Sequence, residues 1–426
     1  MKQLMIDNQF LEHAPGCEFR MNKPEKMGPI IENTPAKFMH HAPYGTVMHH
    51  EGILKMWNDG VGGMRLYTSI DGIHWGFAGV TNFPKPSEGT VFKVDDAYDH
   101  ELEYIYFQDK VGLFIVPLKD SLHADETPCL VARHECDTQN NMFWDRRINK
   151  WVVYLRGWVP HRDFPEIQER SYRSVIRLEF DDFSELKEID SPIVDGRTQR
   201  AFYPQYTVMW PEQENEIDIY TNAVVQYQPD LYLAFPSIYK HLRYSADEEY
   251  DLLDVPNEGL VEIRFGHSRD GINWIFRDEP YVDLGIMGKD LDCCTSYMFV
   301  GMAETKNEII QYYWSSALTH RKNTLYNAYD REYGHIHMVK QRKDGFAYIT
   351  PTEGKGRIIT KEFRGSGEVK LNIETTVSGW AKIKYKNDTW NKTIIGNFTD
   401  YIIPGYGDNI QLEIELKDAK LNSIEY

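Results

Sequence analysis

Four aspartates, Asp96, Asp137, Asp218 and Asp292, have the chemistry and the positions to form a reaction centre. Each stands just before or at the start of a short apolar, β-branched or aromatic run, where a strand would begin. Around Asp137 the chain reads His134-Glu135-Cys136-Asp137-Thr138-Gln139-Asn140, a carboxylate beside two amides. Hydroxyl groups both donate and accept, so this set suits a polyol. An isolated Asp137 also reads as a turn cap. Several carboxylates around one pocket are what glycoside hydrolysis needs. One acid protonates the leaving oxygen, and an ionised one attacks or activates water. A third carboxylate raises the acid's pKa by like-charge repulsion.

Residues that far apart converge only if the fold brings strand starts together. Ser69-Ile70-Asp71-Gly72-Ile73-His74-Trp75 returns as Ser268-Arg269-Asp270-Gly271-Ile272-Asn273-Trp274. Asp-Gly between short apolar runs is a strong hairpin signal. A third version is Asp344-Gly345, and degenerate ones lie at Asp120 and Asp181-Asp182. Five such turns, roughly 50 to 90 residues apart, mark a repeat. Between them lie strand pairs such as Tyr104–Phe107 with Gly112–Val116, and Met142–Trp144 with Trp151–Leu155. The expectation is all-β: a five-bladed β-propeller of four-stranded blades over 1–346, opening with an irregular segment at 1–40. The alternative is an irregular sandwich that reuses Asp-Gly hairpins. Val369–Glu374, Ala381–Lys386 and Ile410–Leu416 alternate apolar with polar, the pattern of a sheet with one wet face. Residues 347–426 are therefore expected to form a separate C-terminal β-sandwich.

In a propeller the innermost strands line a channel, and the loops entering them form a funnel. Asp96, Asp137, Asp218 and Asp292 are the candidate catalytic residues at those strand starts. His41, His49, Gln139, Asn140, Arg156, Trp158, Tyr203, Tyr220, Asn222 and Tyr297 are the candidate substrate contacts. Trp158 and Tyr220 would form a stacking wall for a sugar.

Composition narrows the partners. The net charge is −18 and the pI about 5.3, which excludes a nucleic-acid binder, whose phosphates need a basic face. Aromatic residues make up 13% of the chain, with 27 Tyr and 10 Trp to build strands and offer flat faces to sugar rings. Five cysteines without regular spacing give neither a disulfide framework nor a zinc pair. There is no GxxxxGK loop and no HExxH. His40-His41 and His49-His50 are adjacent pairs whose side chains point to opposite faces of a strand. No metal and no cofactor are expected. No apolar run approaches ~20 residues, so no membrane span is expected. The opening MKQLMIDNQFLEHAPG has no apolar run followed by a cleavage site. That fits a cytoplasmic protein, or a periplasmic or secreted one if a leader has been removed. Nothing in the sequence sets an oligomeric state.

Asp137 followed by Phe143-Trp144 and Lys150-Trp151-Val152 resembles the Arg-Asp-Pro block of glycoside hydrolase family 32. More widely the chain is similar to the five-bladed propellers of families 32 and 43. Asp137-Thr138-Gln139-Asn140, Asp218-Ile219-Tyr220-Thr221-Asn222-Ala223, Tyr232–Tyr239, both SxDGIxW turns and Leu416–Leu421 carry the likeness. The resemblance implies a propeller followed by a sandwich, a transition-state-stabilising role for Asp137, and a pocket acting on an oligo- or polysaccharide. His41-Ala42-Pro43-Tyr44-Gly45 stands where family 32 has its Asn-Asp-Pro-Asn nucleophile block, and the Glu-Cys-Pro acid block is absent. The acids would then be redistributed to Asp96, Asp218 and Asp292. The alternatives are a non-catalytic carbohydrate-binding protein on the same fold, or a phosphorylase using Arg156, Arg200, His41 and His49.

Overall fold

The computed structural model describes residues 1–34, 43–59, 63–84, 89–95, 98–108, 111–125, 127–134, 136, 138–159, 172–183, 187–188, 193–194, 197–198, 204–211, 217–241, 259–320, 334–386 and 389–426. Among them all regular structure is strand, and there is no helix. The chain divides into two compact units. One comprises Lys26–Ala303 with Gln311–Val339, the other Met1–Glu25 with Glu304–Ile310 and Lys340–Tyr426.

The first unit is the propeller. Blade one is Gly45–His50, Ile53–Asn58, Arg65–Ser69 and Gly76–Val80, each antiparallel to the next. Blade two is Thr90–Asp95, Tyr98–Gln108, Gly112–Pro117 and Cys129–Arg133, with Lys187–Glu188 added in parallel at its edge. Blade three is Asn141–Asp145, Lys150–Val159, Tyr172–Phe180 and Thr207–Met209. In blade four three strands are bent. Ile217–Ile219 continues as Val225–Gln228, Leu231–Ala234 as Ser237–His241, and Gly259–Ile263 as Gly266–Ser268, beside Trp274–Phe276. The first two bends have local causes: Ala223 is left-handed at φ 40°, and Pro236 has no ladder donor. Blade five is Thr295–Met298, Glu308–Ser316 and Gly334–Arg342, completed by Glu25–Thr34 from the N-terminal side; the strand ends at Glu25, 308–310 and 340–342 belong to the second unit. The ring closes where Val47 N–H donates to the Val300 carbonyl at 2.8 Å and Val300 N–H to the Gly45 carbonyl at 2.9 Å.

All five acidic turns follow the third strand of their blade: Asp71, Asp120, Asp181, Asp270 and Asp344. The two full copies share one geometry. Asp71 Oδ1 accepts the Ile73 and His74 N–H groups, both at 2.8 Å, and Asp270 Oδ1 those of Ile272 and Asn273. Gly72 and Gly271 sit at φ 75° and 73°, a conformation that costs a side-chain-bearing residue. Each glycine carbonyl accepts the indole N–H of its own turn's Trp75 or Trp274. It also accepts a buried tyrosine hydroxyl from the preceding blade: Tyr312 to Gly72 at 2.6 Å, and Tyr154 to Gly271 at 2.8 Å. The repeated turn is thus a clasp between neighbouring blades, and the Tyr312 clasp spans the ring closure.

The second unit is a nine-stranded sheet that curls over one apolar core. The alternating runs at 369–374 and 381–386 belong to one long strand, Phe363–Tyr385, paired with Asn397–Ile410 and Leu412–Glu425. A register break between Thr375 and Trp380 bends that strand, so the sheet folds back on itself. Val369, Leu371, Ile373, Ala381 and Ile383 alternate into the core. The segment read as irregular at 1–40 differs from expectation. Lys2–Leu4, Leu11–His13 and Cys17–Met21 are strands of this curled sheet, and Glu25–Thr34 is the propeller strand just described. Pro15 and Pro24 in this segment do not prevent pairing, because they fall between strands.

Candidate functional site

Strands of blades one, three, four and five bring a cluster of rings and guanidinium groups together. On Lys150–Val159 the side chains of Arg156 and Trp158 share a face. Trp158 is directly opposite Arg173 on the neighbouring strand. The Arg156 and Arg173 guanidinium carbons lie 4.6 and 5.1 Å from the centre of the Tyr220 ring, and 5.6 and 5.7 Å from that of Trp158. Arg156 also donates to the Tyr220 carbonyl at 2.9 Å. Tyr297 meets Tyr220 edge-on at 5.6 Å and Tyr44 at 5.7 Å. Tyr239 packs on His241 and His320, and His320 Nε2 is 3.2 Å from the Tyr220 hydroxyl. Burial pushes the Tyr297 hydroxyl's pKa well up, so it stays a neutral donor.

Asp218 sits in this cluster as an anchored ion. It is almost fully buried, accepts the Arg173 backbone N–H at 2.9 Å, forms an ion pair with the Arg173 guanidinium and is 3.1 Å from His241 Nε2. Burial alone would push its carboxyl up. The His241 hydrogen bond and the Arg173 charge outweigh this and hold it below the usual range. Such a carboxylate orients Arg173.

Asp292 lies apart from these rings. Tyr313, His337 and Lys26 come from three successive strands of blade five, and Asp292, from the loop before Thr295–Met298, docks on them. Lys26 Nζ and the Tyr313 hydroxyl each donate to Asp292 Oδ2 at 2.8 Å, and the His337 ring stacks on Tyr313 at 5.1 Å. Tyr313 and Trp314 are consecutive, so they point to opposite faces of their strand. Trp314 faces Tyr297, 6.3 Å away, whereas Tyr313 faces Asp292.

The amides serve the chain itself. Gln139 donates to the Gly45 carbonyl at 2.8 Å, bridging blades three and one. Asn140 donates to the Cys136 and Thr138 carbonyls. Asn222 accepts from Val224 N–H and Asn141, and donates to the Tyr154 carbonyl. His49 is exposed on Gly45–His50, about 13 Å along the strand from Gly45 by strand geometry, and is not brought to the ring cluster. Asp96, Asp137, His41 and Tyr203 lie outside the described residues. Thr138, the residue after Asp137, is described: its hydroxyl is 3.3 Å from both the Tyr44 hydroxyl and the Tyr220 carbonyl.

Of the residues gathered in this ring cluster, the sequence reading names Arg156, Trp158, Tyr220 and Tyr297 and omits Arg173, Tyr239, His241 and His320. Cross-strand register carries the missing signal. Tyr239 lies opposite Asp218, and His241 follows on the same face. Asp59 is a further buried carboxylate, one residue past Ile53–Asn58, and its backbone N–H donates to the Tyr44 carbonyl at 3.0 Å. Among the described residues no three His, Cys, Asp or Glu side chains gather as a metal set. Flat rings, tyrosine hydroxyls and guanidinium groups together can grip a hydroxylated ring by stacking and hydrogen bonds.

No family model matches the chain, and no curated protein matches its sequence. Among solved structures the chain is similar to a thermostable family-43 glycoside hydrolase, at 13% identity over 71% of this chain and 89% of that one, with a TM-score of 0.42. It is similar to an endo-1,4-beta-xylanase from Bacteroides thetaiotaomicron, at 9% identity over 72% and 91%, with a TM-score of 0.42. It is also similar to a fructofuranosidase from Schwanniomyces occidentalis complexed with fructose, at 10% identity over 93% and 97%, with a TM-score of 0.40.

Proposed function

We propose that the protein is a glycoside hydrolase acting on an oligo- or polysaccharide at the ring cluster of the propeller. The observation that carries this reading is the convergence of Arg156, Trp158, Arg173, Tyr220 and Tyr297 beside Thr138, the immediate neighbour of Asp137. Asp137 is assigned the transition-state-stabilising charge, with Asp96 as a second acid. Asp218 is a positioning residue for Arg173, and Asp292 anchors its loop on blade five.

The test is a screen of aryl glycosides and plant or algal oligosaccharides, run with and without phosphate, on the wild type and Asp137→Asn. Turnover that falls by roughly two or more orders of magnitude in the variant, with thermal stability unchanged, supports the reading. Loss of about 1 kcal/mol of stability with activity intact identifies Asp137 as a turn cap and refutes it. Turnover that depends on phosphate identifies a phosphorylase.

A carbohydrate-binding protein without catalysis is the second reading. One observation favours it: two of the four candidate acids, Asp218 and Asp292, are tied up in ion pairs. Measurable sugar binding without turnover on any substrate would select it.

A further inference from the structure

The curled-sheet unit contains a cleft of about 550 Å³, within the ~300–1,000 Å³ usual for small-molecule sites. Such sites are mostly apolar, with a few polar groups for orientation. This one is the reverse: every lining side chain is an amide, a hydroxyl, a carboxylate or a cation. The charges answer one another, Lys340 lying 3.6 Å from Glu308 and Lys420 3.5 Å from Glu374. Arg342 is held by Asn372, the Asn397 side-chain oxygen and the Phe398 carbonyl. The Thr399 hydroxyl donates to Asn307 Oδ1 at 3.2 Å. With both amide oxygens engaged, the NH₂ groups of Asn307 and Asn397 remain as donors. Gln341, also in the lining, is 7% exposed, and neither its Oε1 nor its Nε2 has a partner among the described residues.

A buried amide with both ends unmet is destabilising unless something in the functional state satisfies it. An apolar ligand would leave these groups unmet, and a strongly charged one would meet both signs. A neutral ligand rich in hydroxyl groups answers donors and acceptors alike. We infer that this cleft binds a short neutral oligosaccharide, independently of the propeller's own reaction. Gln341, Asn307 and Asn397 supply the hydrogen bonds, and the paired lysines and glutamates form polar walls.

The test is calorimetric titration of the full chain with xylotriose, maltotriose and β-1,3-galactotriose, with inorganic sulfate as a charged comparison. Wild type, Gln341→Met and Asn307→Ala are titrated side by side. At least one trisaccharide is expected to bind, with its affinity weakened about tenfold or more by each substitution. Aryl-glycoside turnover is expected to be unchanged in both variants. Gln341→Met is also expected to raise the unliganded melting temperature, because an apolar chain of similar shape replaces an unpaired amide. No binding to wild type at ~10 mM, a weak affinity by any standard, would overturn the inference. So would equal affinity in all three proteins, sulfate binding more tightly than any sugar, or a lowered melting temperature in Gln341→Met. Sugar binding that depends on Gln341 without any turnover removes the hydrolase reading and keeps this one; turnover without Gln341-dependent binding does the converse.

Discussion

Replacing Asp218 by Asn separates an anchoring role from a catalytic one. The side chain keeps its shape and an oxygen for the Arg173 backbone N–H, but loses its charge. Asp218 is 1% exposed and Arg173 12%, so solvent does little to compensate the guanidinium left behind. Removing one partner of a buried pair costs ~3–5 kcal/mol. The propeller unit has roughly 300 residues, for which an unfolding entropy of ~2 cal/mol/K per residue gives ~0.6 kcal/mol/K. The melting temperature of that unit should therefore fall by ~5–8 °C. Asp181→Asn is the control, because its pair with Lys150 leaves Asp181 80% exposed and should change stability by less than ~1 kcal/mol. The pH dependence gives a second readout. The folded pKa of Asp218 is lowered, so its stabilising contribution is present above the unfolded value near ~3.9 and is lost as pH falls through the folded value. Asp218→Asn should flatten the acid side of the stability curve. Differential scanning calorimetry across pH measures both effects. A change below ~1 °C, with activity abolished, would refute the anchoring argument and restore Asp218 as a catalytic acid.

Three further outcomes follow from the same geometry. Tyr312→Phe and Tyr154→Phe each leave a glycine carbonyl without its tyrosine donor and should cost ~1 kcal/mol apiece, seen as a lower urea midpoint with an unchanged slope. An unchanged midpoint in both would show that the clasps are incidental. His337 is buried, and burial pushes its pKa from 6.5 down to about 4 against the raising charge of Asp292. Between those values the unfolded chain binds a proton that the fold does not, so stability should fall as pH drops from 6.5 towards 4. His337→Phe should flatten that slope, and an identical slope would remove His337 as its source. Asp270 is pushed up by burial and drawn down further by the Asn273 and Ile272 hydrogen bonds, to about 2. Asp270→Ala should therefore lose stability at pH 7 but match the wild type near pH 2, where the wild-type carboxylate is itself being protonated.

The propeller was legible because its repeat is a matter of local chemistry. A carboxylate that caps two backbone N–H groups, followed by a glycine with positive φ, leaves the same residues wherever it occurs, and even the degenerate turn at Asp120 caps Leu122 and His123 in this way. The N-terminal strands left no such mark. Lys2–Leu4 and Leu11–His13 are three residues each, too short for a period-2 pattern, and their partners lie hundreds of positions away. The site was half legible for a related reason. Aromatic and acidic residues at strand starts could be named, but which of them face one another depends on register. Asp218 and Asp292 look alike in sequence. One meets Arg173 among the rings, and the other meets Lys26 and Tyr313 on the opposite face of a neighbouring strand. The amides show a different limit. Gln139, Asn140 and Asn222 read in the sequence as amides for a sugar, yet strand entrances also need donors for their own carbonyls.

The borrowed fourth strand of blade five constrains how the chain can be made. Glu25–Thr34 leaves the ribosome early, while its neighbour Gly334–Arg342 follows roughly 300 residues later. Bringing ends that far apart together costs ~5 kcal/mol of loop entropy before any contact rewards it. Blades one to four can form their hairpins as they emerge, but blade five stays incomplete, with the edge of Glu25–Thr34 waiting, until synthesis has passed residue 342. An unpaired edge of that kind invites pairing with other chains. The strand carries its own protection: Glu25, Lys26 and Pro29 interrupt its apolar residues with charge and a missing donor. Completion of blade five, rather than formation of the first four blades, is thus the late and vulnerable event in this protein's folding.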